Sequence, residues 1–312
     1  MGKDLDWFWS VDWGTSRLRI ALVNRHDGSW AQSREYDLGI WRLYQEWEKA
    51  AKPPRLDFYL ERLFALYPAT ELGNSPQIPS LISGMASASI GLKELPYAQA
   101  PFALSGEHIY SEWVRKDVLL ISGLQLGTDL MRGEETQCLG LEWRGDEAIS
   151  LLLPGTHSKH LRIEAQHIKT CQTIMTGELY SLLSQQSILR DSLAGSEAFD
   201  EVAFKAGLDQ SLKSPLSANL FSIRSAKLLQ VRSKSSNADY LSGLLIGAEC
   251  QMLATDRVVL VAGDSLRERY STALAHLKPE IELICLAEDE AKLLVSEGQR
   301  KILNAYIAPG LS

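Results

Sequence analysis

The chain has 312 residues, 45% of them hydrophobic, and a formal net charge of -7. That length accommodates two domains with a core each. The acidic balance excludes a generic nucleic-acid binder, which would carry a basic excess, but not an anionic small ligand, because a few backbone N–H groups suffice for one phosphate. The four cysteines, Cys138, Cys171, Cys250 and Cys285, form no CxxC motif and sit among apolar residues, as reduced thiols do. No basic start leads into an apolar signal core, and no run of about 18 apolar residues occurs. A soluble cytoplasmic protein is expected, with no membrane partner.

In chain order, Trp7-Phe8-Trp9-Ser10-Val11 predicts a buried strand. It runs into Asp12-Trp13-Gly14-Thr15-Ser16, a second strand over Leu18–Val23 and a turn at His26–Ser29. Leu56–Leu66 places Leu60, Leu63 and Phe64 on one helical face. A strand at Val118–Ile121 precedes a predicted helix over Thr128–Leu141. All eight tryptophans lie at or before Trp143, and the turn-like Arg144-Gly145-Asp146 follows. The domain division is placed there, giving 1–143 and 144–312.

The second half opens as the first does. A strand over Ala148–Leu153 runs into Pro154-Gly155-Thr156-His157-Ser158-Lys159 and then Leu161-Arg162-Ile163. Two such openings, each heading its half, point to a duplicated domain. Thr176 is read as the cap of a helix reaching Leu189, and Gln210–Asn237 reads as helical and polar. A helix over Tyr240–Leu253 carries Gly243, Gly247 and Ala248 at a spacing that permits close approach to another element. Val258–Ala262 is a further buried strand, ending at Gly263-Asp264-Ser265. Strands alternate with helices, so the class is α/β.

The two strand-ending loops carry phosphate chemistry. Gly14 lets the backbone approach a ligand. The N–H groups of Gly14, Thr15 and Ser16 can converge on phosphate oxygens, with two hydroxyls adding donors. Asp12 repels phosphate, so its expected work is to hold Mg²⁺. The second loop offers Gly155, Thr156, Ser158 and Lys159 as donors, plus His157. No GxGxxG or GxxxxGK[ST] occurs, so neither a dinucleotide fold nor a P-loop is expected.

Asp12–Ser16 resembles the first phosphate motif of the actin-like ATPase superfamily. Arg132-Gly133-Glu134-Glu135-Thr136-Gln137, Leu153–Lys159 and Met175-Thr176-Gly177-Glu178-Leu179 resemble the hallmark motifs of 2-keto-3-deoxygalactonokinases, in the same order and at similar spacing. The resemblance implies two ribonuclease-H-like domains with an active-site cleft between them. It implies phosphoryl transfer from ATP to the terminal hydroxyl of a 2-keto-3-deoxy sugar acid. It places the acceptor beside Gly84, Met85, Ser87 and Arg132, and the adenosine beside Gly263. Where that family reads Arg-Gln, this chain has Ser89 and Ile90, which opens the reading to another small sugar or polyol. A nucleotide-dependent regulatory protein of the same fold is the reading from another class, and a homodimer is left open.

Transfer needs a base for the acceptor hydroxyl. With Asp12 given to the metal and no carboxylate in the second loop, the acidic pair is the candidate. Neighbouring helical residues point about 100° apart. Glu134 is therefore expected to face the sugar as base, and Glu135 the Mg²⁺ side. Arg132 could clamp a carboxylate or phosphate as a planar fork, or pair on the surface with Glu135. The expected cofactors are ATP and Mg²⁺.

Overall fold

The computed structural model describes residues 6–69, 78–99, 101–143, 147–195, 198–253 and 256–307. The expected turn at Arg144-Gly145-Asp146 lies outside the described residues. The chain forms two compact units. One is Met1–Asp146 with Gln166–Thr170 and Lys292–Ser312; the other is Glu147–Ala165 with Cys171–Ala291.

The first unit contains β1 (Trp7–Trp13), β2 (Leu18–Asn24), β3 (Trp30–Tyr36), α1 (Ile40–Lys49), α2 (Arg55–Phe64) and β4 (Ser80–Gly84). After a 3₁₀ turn at Met85–Ser87 come β5 (Ala98–Gln99), β6 (Phe102–Ala103), β7 (Ser111–Arg115) and β8 (Val118–Ile121). Then follow β9 (Leu124–Leu126), β10 (Asp129–Met131) and α3 (Glu134–Gly140). The main sheet runs β3-β2-β1-β4-β8-β7. β1 is antiparallel to β2 and parallel to β4, which is parallel to β8. Trp13, Leu18, Tyr59, Leu60 and Leu63 pack into its core, so α2 buries the face the sequence predicts.

The second unit contains β11 (Ile149–Leu153), β12 (Ser158–Glu164), the Cys171–Ile174 end of β13 (His167–Ile174), α4 (Thr176–Gln185), α5 (Glu201–Lys213), α6 (Leu216–Leu228) and α7 (Lys234–Cys250). β14 (Arg257–Leu260), α8 (Asp264–Leu277) and β15 (Glu282–Cys285) complete it. Its strands run β13-β12-β11-β14-β15, with β11 antiparallel to β12 and parallel to β14. That is the order β3-β2-β1-β4-β8 repeated, with the β12-β11-β14-β15 directions matching those of β2-β1-β4-β8. Both units are thus ribonuclease-H-like, and the shared openings do mark one design used twice. The last helix, α9 (Glu288–Ile307), returns to the first unit from Lys292 onward.

Two helices differ from expectation. Thr128–Leu141 is half hairpin: β9 and β10 pair through Gly127 at φ +62°, and α3 starts only after Gly133 at φ +111°. Left-handed backbone at two glycines breaks the helix that the apolar spacing suggested. Thr176 is the first residue of α4, while Met175 is its N-cap without a side-chain bond.

The small-residue face of α7 does permit close approach. A Cβ on Gly243 would lie 2.1 Å from the Phe204 carbonyl oxygen, and one on Gly207 2.3 Å from that of Tyr240. Gly243→Ala must therefore force α5 and α7 apart. We expect a loss of about 1–3 kcal/mol, read as a lower urea midpoint with unchanged m value. An unaltered midpoint would show that the two helices do not meet there.

Candidate active site

The first loop is the β1–β2 connection. The Gly14 N–H donates to the Arg17 carbonyl at 2.9 Å and so closes the hairpin, rather than facing outward. The carbonyls of Gly14, Thr15 and Ser16 accept from the N–H groups of Ile40, Trp41 and Gly39 at 3.0, 3.2 and 3.0 Å. These donors sit at the start of α1, where helix N–H groups lack internal partners. With its carbonyls turned to α1, the tip leaves Thr15 and Ser16 exposed. Gly39, which sequence reasoning missed, makes this possible: a Cβ there would lie 2.1 Å from the Thr15 oxygen.

Asp12 ends the buried run of β1. It sits opposite Arg19 on β2, whose Nη1 donates to Asp12 Oδ2 at 3.0 Å. Burial pushes its carboxyl pKa upward, against the pull of Arg19. Its side chain keeps 20% exposure. A partly buried carboxylate beside an exposed donor loop fits a hydrated magnesium ion, which needs only one or two protein carboxylates.

The acidic pair opens α3. Gly133 N–H donates to both oxygens of Glu135, at 3.0 and 2.7 Å, and the Thr136 hydroxyl adds a third bond at 2.9 Å. Glu135 is 0% exposed. Its oxygens fasten the loop, so the side chain does not face a metal as expected. Burial, then the charge of Glu134, raises its pKa from 4.5 to about 8. Glu134 is only half-buried, and its Oε2 accepts from the Arg132 N–H at 3.1 Å.

Between about pH 4.5 and 8, folded Glu135 holds a proton that the unfolded chain has released. Stability must therefore fall as pH rises through that window, by up to roughly 1.4 kcal/mol per unit. Urea midpoints of wild type should drop from about pH 5 to about pH 8 more steeply than those of Glu135→Gln; parallel slopes would contradict it.

Arg132 is neither a free clamp nor a surface partner of Glu135. Its guanidinium donates to the Tyr97 hydroxyl at 2.9 Å, to the Ser87 carbonyl and hydroxyl at 2.5 and 2.9 Å, and to the Leu95 carbonyl at 3.3 Å. It also lies 4.0 Å from the Tyr97 ring centre. It thus ties the Met85–Ser87 turn to Leu95–Tyr97 and to the start of α3. Gly84 precedes that turn at φ +88°, and a Cβ there would lie 2.7 Å from the Trp13 oxygen. Met85 is half-buried and Ser87 buried. Ser89 is exposed, and its carbonyl accepts from Arg55 on α2 at 2.6 Å. From the C-terminus, Gln299 on α9 donates to Val11 O and Ser83 Oγ at 3.1 and 3.0 Å, lacing β1 to β4.

In the second unit, the β11–β12 loop exposes Thr156 and His157, with Gly155 half-buried. Ser158 and Lys159 turn inward instead of toward a ligand, at 0% and 5% exposure. Lys159 Nζ donates to Thr173 Oγ1 at 2.8 Å. The reason is tertiary: β12 is an interior strand of its sheet and begins at Ser158 itself. The start of α4 holds the loop from outside. Glu178 N–H donates to Thr156 O at 3.0 Å, and Glu178 Oε2 lies 2.5 Å from His157 Nε2. A Cβ on Gly177 would lie 2.4 Å from the Gly155 oxygen. Gly263 caps α8, and a Cβ there would meet nothing within 4 Å.

Both units thus share one ribonuclease-H-like topology, each with a polar hairpin tip at the end of its first strand, and the fold class is that of a two-unit α/β protein. A sequence model described as 2-keto-3-deoxy-galactonokinase matches residues 12–295. The chain belongs to that family. It is 32% identical over 276 residues to 2-dehydro-3-deoxygalactonokinase of Escherichia coli K12, covering 85% of this chain and 88% of that one. A Rhizobium meliloti protein described as a probable 2-dehydro-3-deoxygalactonokinase is also 32% identical, over 282 residues and the same shares. A crystal structure of a candidate 2-dehydro-3-deoxygalactonokinase from Sinorhizobium meliloti superposes with a TM-score of 0.79 at 29% identity, covering 98% of both chains.

Proposed function

We propose that this chain transfers the γ-phosphoryl group of ATP to the terminal hydroxyl of 2-dehydro-3-deoxygalactonate. The observation that carries this reading is the family match over residues 12–295, which spans both loops and the acidic pair. The acceptor oxygen forms a bond to the γ-phosphorus, the bond to the β–γ bridging oxygen breaks, and ADP leaves. Glu134, the half-buried member of the acidic pair, takes the hydroxyl proton. Glu135 and Arg132 hold the loop and the Gly84–Ser87 turn against which the sugar acid lies.

The first unit then carries the sugar side and the second the adenosine side at Gly263. Thr15 and Ser16 in one unit, and Gly155, Thr156 and His157 in the other, supply phosphate donors. Asp12 would hold Mg²⁺, which supplies neutralisation of phosphate charge when bound. No described helix is long and apolar enough to cross a membrane.

Ser89 favours keeping a second acceptor class in view, because an exposed serine stands where the family pattern has arginine. A coupled ADP-release assay across 2-keto-3-deoxy acids and neutral sugars separates the readings. Turnover with 2-dehydro-3-deoxygalactonate is expected. Turnover confined to neutral sugars would replace the acceptor, and none with any acceptor would end the kinase reading.

A further inference from the structure

Behind the second loop lies a buried polar cluster that the transfer step does not use. Ser158, His160, Glu249 and Tyr270 are 0%, 8%, 1% and 1% exposed. Ser158 and His160 lie on β12, Glu249 in the last turn of α7 and Tyr270 on α8. The Tyr270 hydroxyl donates to Glu249 Oε2 at 2.7 Å, and His160 Nε2 lies 2.9 Å from Glu249 Oε1. Ser158 Oγ lies 3.3 Å from the Tyr270 oxygen.

Hydrogen counting sets the direction of each bond. The phenol has one hydrogen and gives it to Glu249, so Ser158 must donate to the phenol oxygen. His160 Nδ1 is buried without a partner. A hydrogen there would be a stranded buried donor, at a cost of about 1–3 kcal/mol. The ring therefore carries its proton on Nε2 and donates to Glu249. The chain of bonds runs from Ser158 to Tyr270 to Glu249, with His160 closing on the same carboxylate. Burial, and then the charge of Glu249, pushes the phenol pKa well above the tyrosine range.

A buried carboxylate is an expensive way to fill a core, and apolar residues of the same volume often serve stability as well or better. What this cluster adds is direction. It joins three elements at one point: the strand that carries the Thr156–His157 tip, α7, and α8, whose first turn starts at Gly263. From outside, Gly177 and Glu178 brace the same loop. We infer that the Glu249–Tyr270 pair is a positioning device, acting through Ser158 to set the second loop for the β- and γ-phosphates. This rests on the nucleotide reading above.

Calorimetric binding of a non-hydrolysable ATP analogue and of AMP tests it on the full chain. Tyr270→Phe keeps the ring and removes only the hydroxyl. It should weaken the ATP analogue on the order of tenfold, leaving AMP affinity and the KM for the sugar acid within about twofold. Ser158→Ala, a milder change in case Tyr270→Phe does not fold, should do the same, and the double variant should be no worse than either single one. Equal weakening of both nucleotides, a changed acceptor KM, or no weakening at all would overturn the assignment while leaving the kinase reading intact. Wild type that binds neither nucleotide would overturn both.

Discussion

Glu134→Gln should lower kcat by a factor on the order of 10²–10⁴, the usual contribution of a positioned general base, with the KM for ATP within about threefold. Accessibility distinguishes the two carboxylates. Of the two adjacent carboxylates, Glu135 has no exposed surface, and its oxygens take the Gly133 N–H and the Thr136 hydroxyl. Glu134 is only half-buried, and its Oε2 accepts from the Arg132 N–H. Glutamine keeps the shape and that acceptor but cannot take a proton at neutral pH. Steady-state kinetics varying each substrate in turn decide it. An unchanged kcat would remove Glu134 as base, and Glu135, raised to about 8 and internally bonded, could not replace it without opening the loop.

Asp12→Asn separates function from stability at the other carboxylate. Turnover should fall on the order of 10²–10³-fold, as when one preorganised electrostatic group is lost, and half-saturation should need at least roughly tenfold more Mg²⁺. Thermal stability near neutral pH should be equal or higher. Burial raises the Asp12 pKa, so the ionised form is less favourable in the folded chain than in the unfolded one above the ordinary carboxylate range. A neutral isostere removes that cost and still accepts from Arg19. A variant that unfolds early, or one with unchanged magnesium dependence, would show that Asp12 serves the hairpin and not the metal.

The locally determined features were legible. Trp7–Val11 and Ile149–Leu153 are apolar runs broken only by Ser10 and Ser150 and followed by polar tips, and a buried strand needs nothing more distant to be recognised. The close approach at Gly243 was legible because small residues at helical spacing leave one kind of contact open. Thr128–Leu141 misled because apolar spacing does not report that Gly127 and Gly133 take left-handed backbone.

The sequence by itself determined the class, the duplicated strand–loop–strand openings, the acidic pair and the family, since each depends on residues close together in the chain. Only the tertiary structure decided which of those residues face outward. Ser158 and Lys159 look like phosphate donors until β12 is placed inside a sheet. Arg132 looks like a substrate clamp until Ser87, Leu95 and Tyr97 take its donors. Gly39 and Gly177 look ordinary until the Thr15 and Gly155 carbonyls come against them. Those partners lie some 20 to 45 residues away along the chain, so burial and hydrogen bonding, rather than local pattern, set what each side chain can reach.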